Sequence, residues 1–371
     1  MGDERFLQGH GIPVAVGDIE AELATLWGPA AEGVDRPEAE NPNVTRVVLA
    51  NLVVVAPRGD GGAIDGVIDT VVSRFPSRAI VLRRSEDGER KVAAEVTALC
   101  HLPAPGRPQV CSERIALRAG PNALDLLPGA VRPLLEPDLP RILWWADDLR
   151  GGDGLFGALA AESTRVLLDP PTPLADPTAL RDALEPAPPP CRRDAAWHGI
   201  TRWRELVAQL FDPPGTTRLL HAIDSVEVRA RVPRPDGPPR VAAWLVAWLA
   251  GQLGWRPRDR AADGSSATFD GPSGQVAVRL VVEADPAAPL EHLAGVTLTS
   301  RGNTTFRLTR PDPEGEAVRV EAEGPVPCPS CRTVLAPEFD AAGRIAAALE
   351  SDRRDPPFCA AMPHALWLLG V

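Results

Sequence analysis

The stretch from Val44 to Ala56, VTRVVLANLVVVA, runs almost unbroken in β-branched and other apolar side chains. A run of that kind fits a strand buried on both faces, which places it in the middle of a sheet and not at an edge. The residues that follow return to helical spacing, with Ile64, Val67, Ile68, Val71 and Val72 three or four apart between Ala63 and Phe75. Arg78 to Arg83, RAIVLR, reads as a strand again. Together these segments form a β-α-β unit, so the first half of the chain is predicted to be a sheet with helices on both faces.

The same pattern continues. Asp18 can cap a helix through Ile19, Leu23, Leu26 and Trp27, ending near Gly28. Strands are expected at Val92 to Leu102, Val110 to Ala119, Arg141 to Trp145 and Thr164 to Leu168, with helices at Ala123 to Leu135 and Leu155 to Ala161. From Pro170 to Pro190 prolines recur every few residues, with room for a short helix between Pro177 and Pro186. Beyond it come a helix at Thr201 to Phe211, a strand at Val226 to Val232, and an apolar helix through Trp244 and Trp248 that ends at Gly254. Strands follow at Ala267 to Phe269, Gln275 to Val282, Gly295 to Leu308 and Val318 to Ala322, then a helix at Ala341 to Ser351 and a proline-rich, partly apolar tail. The fold class expected is an α/β N-terminal domain, a mixed sheet with helices on both faces, over residues 1–190, followed by an α+β C-terminal domain over 191–371.

The chain has 371 residues, 39 of them basic and 50 acidic, a net charge of −11. That balance argues against nucleic acid or an anionic bilayer as partner. The opening residues MGDERFLQGH hold acids and no apolar run, unlike a signal peptide. The longest apolar stretch, Val241 to Leu253, falls short of the roughly 20 residues that span a bilayer. A cytoplasmic protein without a membrane segment is expected, and its six cysteines are expected to be mostly plain thiols.

Motifs for chemistry are sparse. No GxGxxG or GxxxxGK[ST] directly follows an expected strand, and no HExxH or GxSxG occurs; Gly59-Asp60-Gly61-Gly62 lies where a phosphate loop would follow the first central strand, but reads as a tight turn. No catalytic residues, cofactor or metal are therefore assigned. Cys328-Pro-Ser-Cys331 can close a small disulfide, act as a redox pair, or supply two metal ligands with only Cys359 and His364 downstream to complete a site; it can also have no role. Trp144 and Trp145, adjacent on a strand, point to opposite faces, so one indole can reach a partner. Trp203 and Arg204 are of the residue types that anchor interfaces. Burial inside the chain is the competing reading of these tryptophans. An enzyme with a pocket at the carboxyl ends of the strands, near Gly59 and Asp147-Asp148, is the alternative, and a redox adaptor acting through the CxxC pair is a third.

Several ordered blocks resemble one family: TRVVLANLVVV (45–55), FPSRAIVL (75–82), VCSERIAL (110–117), LLEPDLPRILWW (134–145), TRVLLD (164–169) and TRWRELVAQLFD (201–212). They are similar to the glucose-6-phosphate dehydrogenase assembly protein OpcA family, with AAWLVAWLAGQLGW (242–255) a weaker extension. The resemblance implies a non-catalytic accessory protein that binds glucose-6-phosphate dehydrogenase and promotes its active oligomer. It also implies thioredoxin as a second partner where the family is redox-regulated, with Cys328 and Cys331 the natural pair. On this reading Arg204→Ala should weaken dehydrogenase binding and leave the melting temperature nearly unchanged.

Overall fold

A computed structural model describes residues 12–31, 44–101, 109–171, 174–185, 191–288, 290–301, 303–312, 315–324, 332–337, 340–351 and 354–371. They fall into two compact units. The first is the chain up to Pro171 with Pro186–Arg193 and Ile345–Ser351; the second is Thr172–Glu185, Asp194–Arg344 and Asp352–Val371.

The first unit is built on strands β1 (Ile12–Val14), β2 (Val44–Arg46), β3 (Asn51–Val55), β4 (Arg78–Arg84), β5 (Val92–His101), β6 (Gln109–Ala119), β7 (Arg141–Trp145), β8 (Arg165–Leu168) and β9 (Cys191–Asp194). Their order is β1-β5-β6-β4-β3-β7-β8-β9, with β2 beside β6. β3 is parallel to β4 and β7, β4 to β6, and β7 to β8, whereas β5 is antiparallel to β1 and β6. Counted as parallel strands in chain order, β6-β4-β3-β7-β8 runs 3-2-1-4-5, the doubly wound arrangement whose order reverses between β3 and β7. All five residues of β3 are buried, as its apolar run requires.

Two local expectations change. The run from Val44 to Ala56 is two strands, because β2 pairs with β6 while β3 pairs with β4, and β4 lies between those neighbours in the sheet. The chain crosses at 47–50, where Leu49 N–H donates to the carbonyl of Pro76 at 2.8 Å. The helix expected over Ala123 to Leu135 is three short pieces, 3₁₀ at Pro121–Leu126, α at Leu127–Val131 and 3₁₀ at Arg132–Leu134. Pro128 and Pro133 supply no N–H to continue a longer ladder.

The second unit carries β10 (Ile223–Val232), β11 (Arg256–Arg260), β12 (Ser266–Gly271), β13 (Gly274–Ala284), β14 (His292–Ser300), β15 (Thr304–Thr309), β16 (Ala317–Glu323) and β17 (Arg332–Leu335). They form one sheet in the order β11-β12-β13-β10-β14-β15-β16-β17, antiparallel except for the β10–β13 pair. The single strand expected over Gly295 to Leu308 is the β14–β15 hairpin, with Asn303 at φ 59° in its turn. The helix Arg240–Leu253 packs on β10, β13 and β14 and against the helix Pro356–Leu369. That second helix replaces the irregular tail: the Asp355 carboxylate accepts from Phe358 N–H at 2.9 Å, and Pro356 sits in the first turn, where its missing N–H costs nothing. The two helices meet at Gly251, where an added Cβ would lie 2.8 Å from the backbone oxygen of Ala360.

The sequence patterns therefore describe the fold class correctly: an α/β unit with a mixed sheet, then an α+β unit. Among the described residues no helix is long and apolar enough to cross a membrane.

Candidate functional site

In a doubly wound sheet, ligands bind at the carboxyl ends of the strands where the strand order reverses. Here that place is formed by the loop after β3, the end of β4 and the loop after β7. The β3 loop is Ala56-Pro57-Arg58-Gly59-Asp60-Gly61-Gly62-Ala63, with Gly59, Gly61 and Gly62 at φ 68°, 60° and 98°. Only glycine takes those angles without strain, which is why the turn is so rich in it. The loop delivers the chain to the helix Ile64–Arg74, whose N-terminus would face a phosphate in a dinucleotide enzyme.

The chain fills that position itself. Asp60 Oδ2 accepts from Ile64 N–H at 3.2 Å, and Asp60 Oδ1 pairs with Arg83 Nη1 at 2.8 Å. Arg83 Nη2 reaches Asp65 Oδ1 at 2.5 Å, and Arg114 continues the row to Asp69 at 2.7 Å. Burial raises the carboxyl of Asp69 above the usual carboxylate range, against the pull of Arg114. A second row lies beside it. Asp147 is 1 % exposed; its Oδ1 accepts from Arg58 N–H at 3.1 Å, and its Oδ2 meets Arg58 Nε at 3.4 Å and Arg84 Nη1 at 3.3 Å. Arg84 Nη2 also reaches Asp153 Oδ2 at 2.9 Å, and Asp153 in turn caps the helix Gly154–Glu162 through Leu155 and Phe156 N–H.

Dinucleotide folds place an acid about 20 residues beyond the glycine loop to hold the ribose, or an arginine to receive a 2′-phosphate. Arg83 and Arg84 occupy the end of β4 here, and both already hold carboxylates. The acids near Gly59 considered for a metal are likewise engaged: Asp147 by two arginines, and Asp148 with Arg150 at 3.5 Å. Among the described residues no cluster of three His, Cys, Asp or Glu side chains is arranged to hold a metal ion. Sequence reading missed these ion-pair rows. The available signal was Arg83-Arg84 closing a strand that follows a glycine turn.

Trp144 and Trp145 are both buried, at 1 % and 0 % exposed, because β7 is covered on both faces. Trp145 Nε1 donates to the carbonyl of Asp148 at 3.2 Å, its ring takes the edge of Phe156 at 5.1 Å, and Arg84 lies over it at 5.6 Å. Neither indole is presented for docking, so the partner contact expected of one of them is replaced by core packing. Trp203 is also buried, on the helix Thr201–Gln209. Arg204 stacks on the ring of Trp197 at 3.7 Å and donates to Thr201 Oγ1 at 3.0 Å. Burial pulls its guanidinium down to about 10. Trp197 belongs to the core of the second unit, with Trp244 and Phe358 at ring distances of 5.6 and 5.5 Å. Two aspartates hold the indole N–H groups of that cluster: Trp197 donates to Asp355 at 2.8 Å and Trp244 to Asp194 at 2.9 Å.

Cys328 and Cys331 lie outside the described residues. Cys359 is a free thiol, but Cys111 is disulfide-bonded, a departure from the expectation of plain thiols. The β5–β6 register sets Cys100 directly across from Cys111.

Residues 69–185 match the family profile described as the glucose-6-phosphate dehydrogenase subunit N-terminal domain, and residues 190–362 match that of its C-terminal domain. The chain belongs to the OpcA family. A Synechocystis sp. protein described as an OxPP cycle protein OpcA is 27 % identical over 196 residues, 52 % of this chain and 40 % of that one. A Nostoc punctiforme protein of the same description is 30 % identical over 195 residues, 52 % of this chain and 41 % of that one. The match thus spans less than half the length of these two OpcA relatives. In fold, the chain is similar to an oxidoreductase from Sinorhizobium meliloti, at a TM-score of 0.50 and 10 % identity over 86 % of this chain and 95 % of that one.

Proposed function

We propose that this chain is a non-catalytic accessory protein that binds glucose-6-phosphate dehydrogenase and promotes its assembly and activation in the oxidative pentose phosphate pathway. Membership of the OpcA family supports the dehydrogenase as partner. The observation that carries the non-catalytic part is the crevice at the switch point, where Asp60 takes the helix N-terminus and Arg83 and Arg84 are spent on carboxylates. Such a site meets a dinucleotide phosphate with a helix N-terminus already capped by Asp60 and with Arg83 and Arg84 already paired to carboxylates.

An accessory protein shifts its partner's equilibrium only by its difference in affinity for the two states. A difference of about 1.4 to 3 kcal/mol changes those populations roughly tenfold to 150-fold. The test is the rate and mass of the same organism's glucose-6-phosphate dehydrogenase with and without this protein, by substrate turnover and light scattering. A faster rate together with a mixed species is expected. Two folded proteins that form no complex and show no rate change would overturn the proposal, and a nucleotide that stabilises this chain alone would return it to the enzymes.

A further inference from the structure

The sheet of the second unit is two-faced. Along β10 and β14, Val226, Val228, Val296 and Leu298 are buried, whereas the residues between them are half-buried or exposed. Strand registry assembles these alternate residues into rows. Ser225 stands between Ala277 of β13 and Thr299 of β14, and Glu227 stands between Arg279 and Thr297. The middle of the open face thus mixes short side chains, Ser225, Ala277, Thr297 and Thr299, with the long charged ones of Glu227, Arg229 and Arg279.

Several of its charges occur as opposed pairs. Arg229 meets Glu283 at 2.8 Å, Arg279 meets Glu227 at 3.6 Å and Arg307 meets Glu323 at 2.7 Å. In a chain of net charge −11, a face whose charges cancel among themselves is where a copy can approach with least repulsion.

The area is adequate. Eight strands about 4.8 Å apart span roughly 34 Å, and an average strand of about seven residues spans about 24 Å, so the face covers on the order of 800 Å². That is what each partner of a standard stable interface buries.

We propose that the open face of this sheet is a homodimer interface, occupied by the same face of a second copy of this chain. The proposal is independent of the accessory reading, because it concerns the protein alone. Its test is the mass of the full chain at micromolar concentration, by sedimentation equilibrium, for the wild type and for Thr297→Arg. That substitution plants a further cation in the centre of the face, between Glu227 and Arg307, on the side of the strand opposite the buried Val296 and Leu298. The wild type is expected at twice the chain mass, and the variant at the chain mass with an unchanged circular dichroism spectrum. Arg307→Glu, which sets like charges at the Glu323 pair, is the second variant should Thr297→Arg fail to fold, and it is also expected to dissociate the dimer. A monomeric wild type overturns the proposal, as does a folded variant that stays dimeric. A wild type that is monomeric alone, and whose complex with the dehydrogenase is weakened by Thr297→Arg, overturns it too and assigns the face to that partner.

Discussion

Arg78 is the most informative residue to remove. It is 4 % exposed at the start of β4, and it serves four acceptors: Glu113 at 2.6 Å, Glu20 at 2.7 Å, Glu136 at 3.0 Å and the carbonyl of Leu134 at 2.8 Å. These are unequal. Glu20 and Glu136 keep 53 % and 31 % of their side-chain exposure and fall back on water at small cost, whereas Glu113 is fully buried. Arg78→Met keeps the stem and removes the charge, so Glu113 loses its arginine inside the protein. Breaking a buried pair in this way costs about 3–5 kcal/mol. For a unit of this size, about 2–4 °C of melting temperature accompanies each kcal/mol, so the expected fall is roughly 6–20 °C. Scanning calorimetry reads it directly. Arg78→Met/Glu113→Gln withdraws the stranded charge and should recover at least half of the loss. A single-variant loss below about 1 kcal/mol, or a double variant no more stable than the single, would refute this account of the cluster.

Gly251→Ala should destabilise the second unit by about 1–3 kcal/mol in urea unfolding, because the new Cβ meets the backbone of Ala360 and two packed helices must part; an unchanged midpoint would contradict the close approach. Arg204→Ala should cost roughly 0.5–2 kcal/mol, seen as a lower melting temperature, because the guanidinium stacks at 3.7 Å on Trp197; this reverses the sequence-based expectation that stability would hardly change. His364 is pulled below its usual range by burial, so the unfolded chain takes up a proton at a higher pH than the folded one does. Its contribution is therefore lost as pH falls below about 6.5, and His364→Phe should flatten the fall in unfolding free energy between about pH 7 and pH 5; identical slopes would exclude it.

Much of the fold was legible because burial writes itself into residue type. The β3 and β4 runs and the apolar Arg240–Leu253 helix name central elements, since only a site enclosed on every side selects such composition. The edge strands were not legible. β9 and β11 are short and rich in charged residues, β17 is only Arg-Thr-Val-Leu and β1 only Ile-Pro-Val, and they exist because a neighbour offers unpaired backbone groups, not because their own side chains demand a strand. The tail from Pro356 was missed for a related reason: its prolines read as irregular chain, yet Pro356 sits where a helix tolerates it and the packing against Arg240–Leu253 holds the rest.

The candidate site divides in the same way. A glycine turn after a central strand and an acid near it were visible in the sequence, and so was the lack of any GxxxxGK[ST], HExxH or GxSxG pattern. Which residues touch was not. Asp60 and Arg83 are 23 positions apart, and Arg58 and Asp147 are 89 apart. Charged side chains look alike in a sequence whether they solvate a surface or neutralise a crevice, because a pair's meaning depends on the distance and dielectric between its members. The sequence by itself determined the layers, the central strands and the family blocks, since these depend on apolar periodicity and local order. Only the tertiary structure decided that the switch-point crevice is filled by its own ion pairs and that Trp144, Trp145 and Trp203 belong to the interior, because sheet order and two-sided coverage are properties of no single segment.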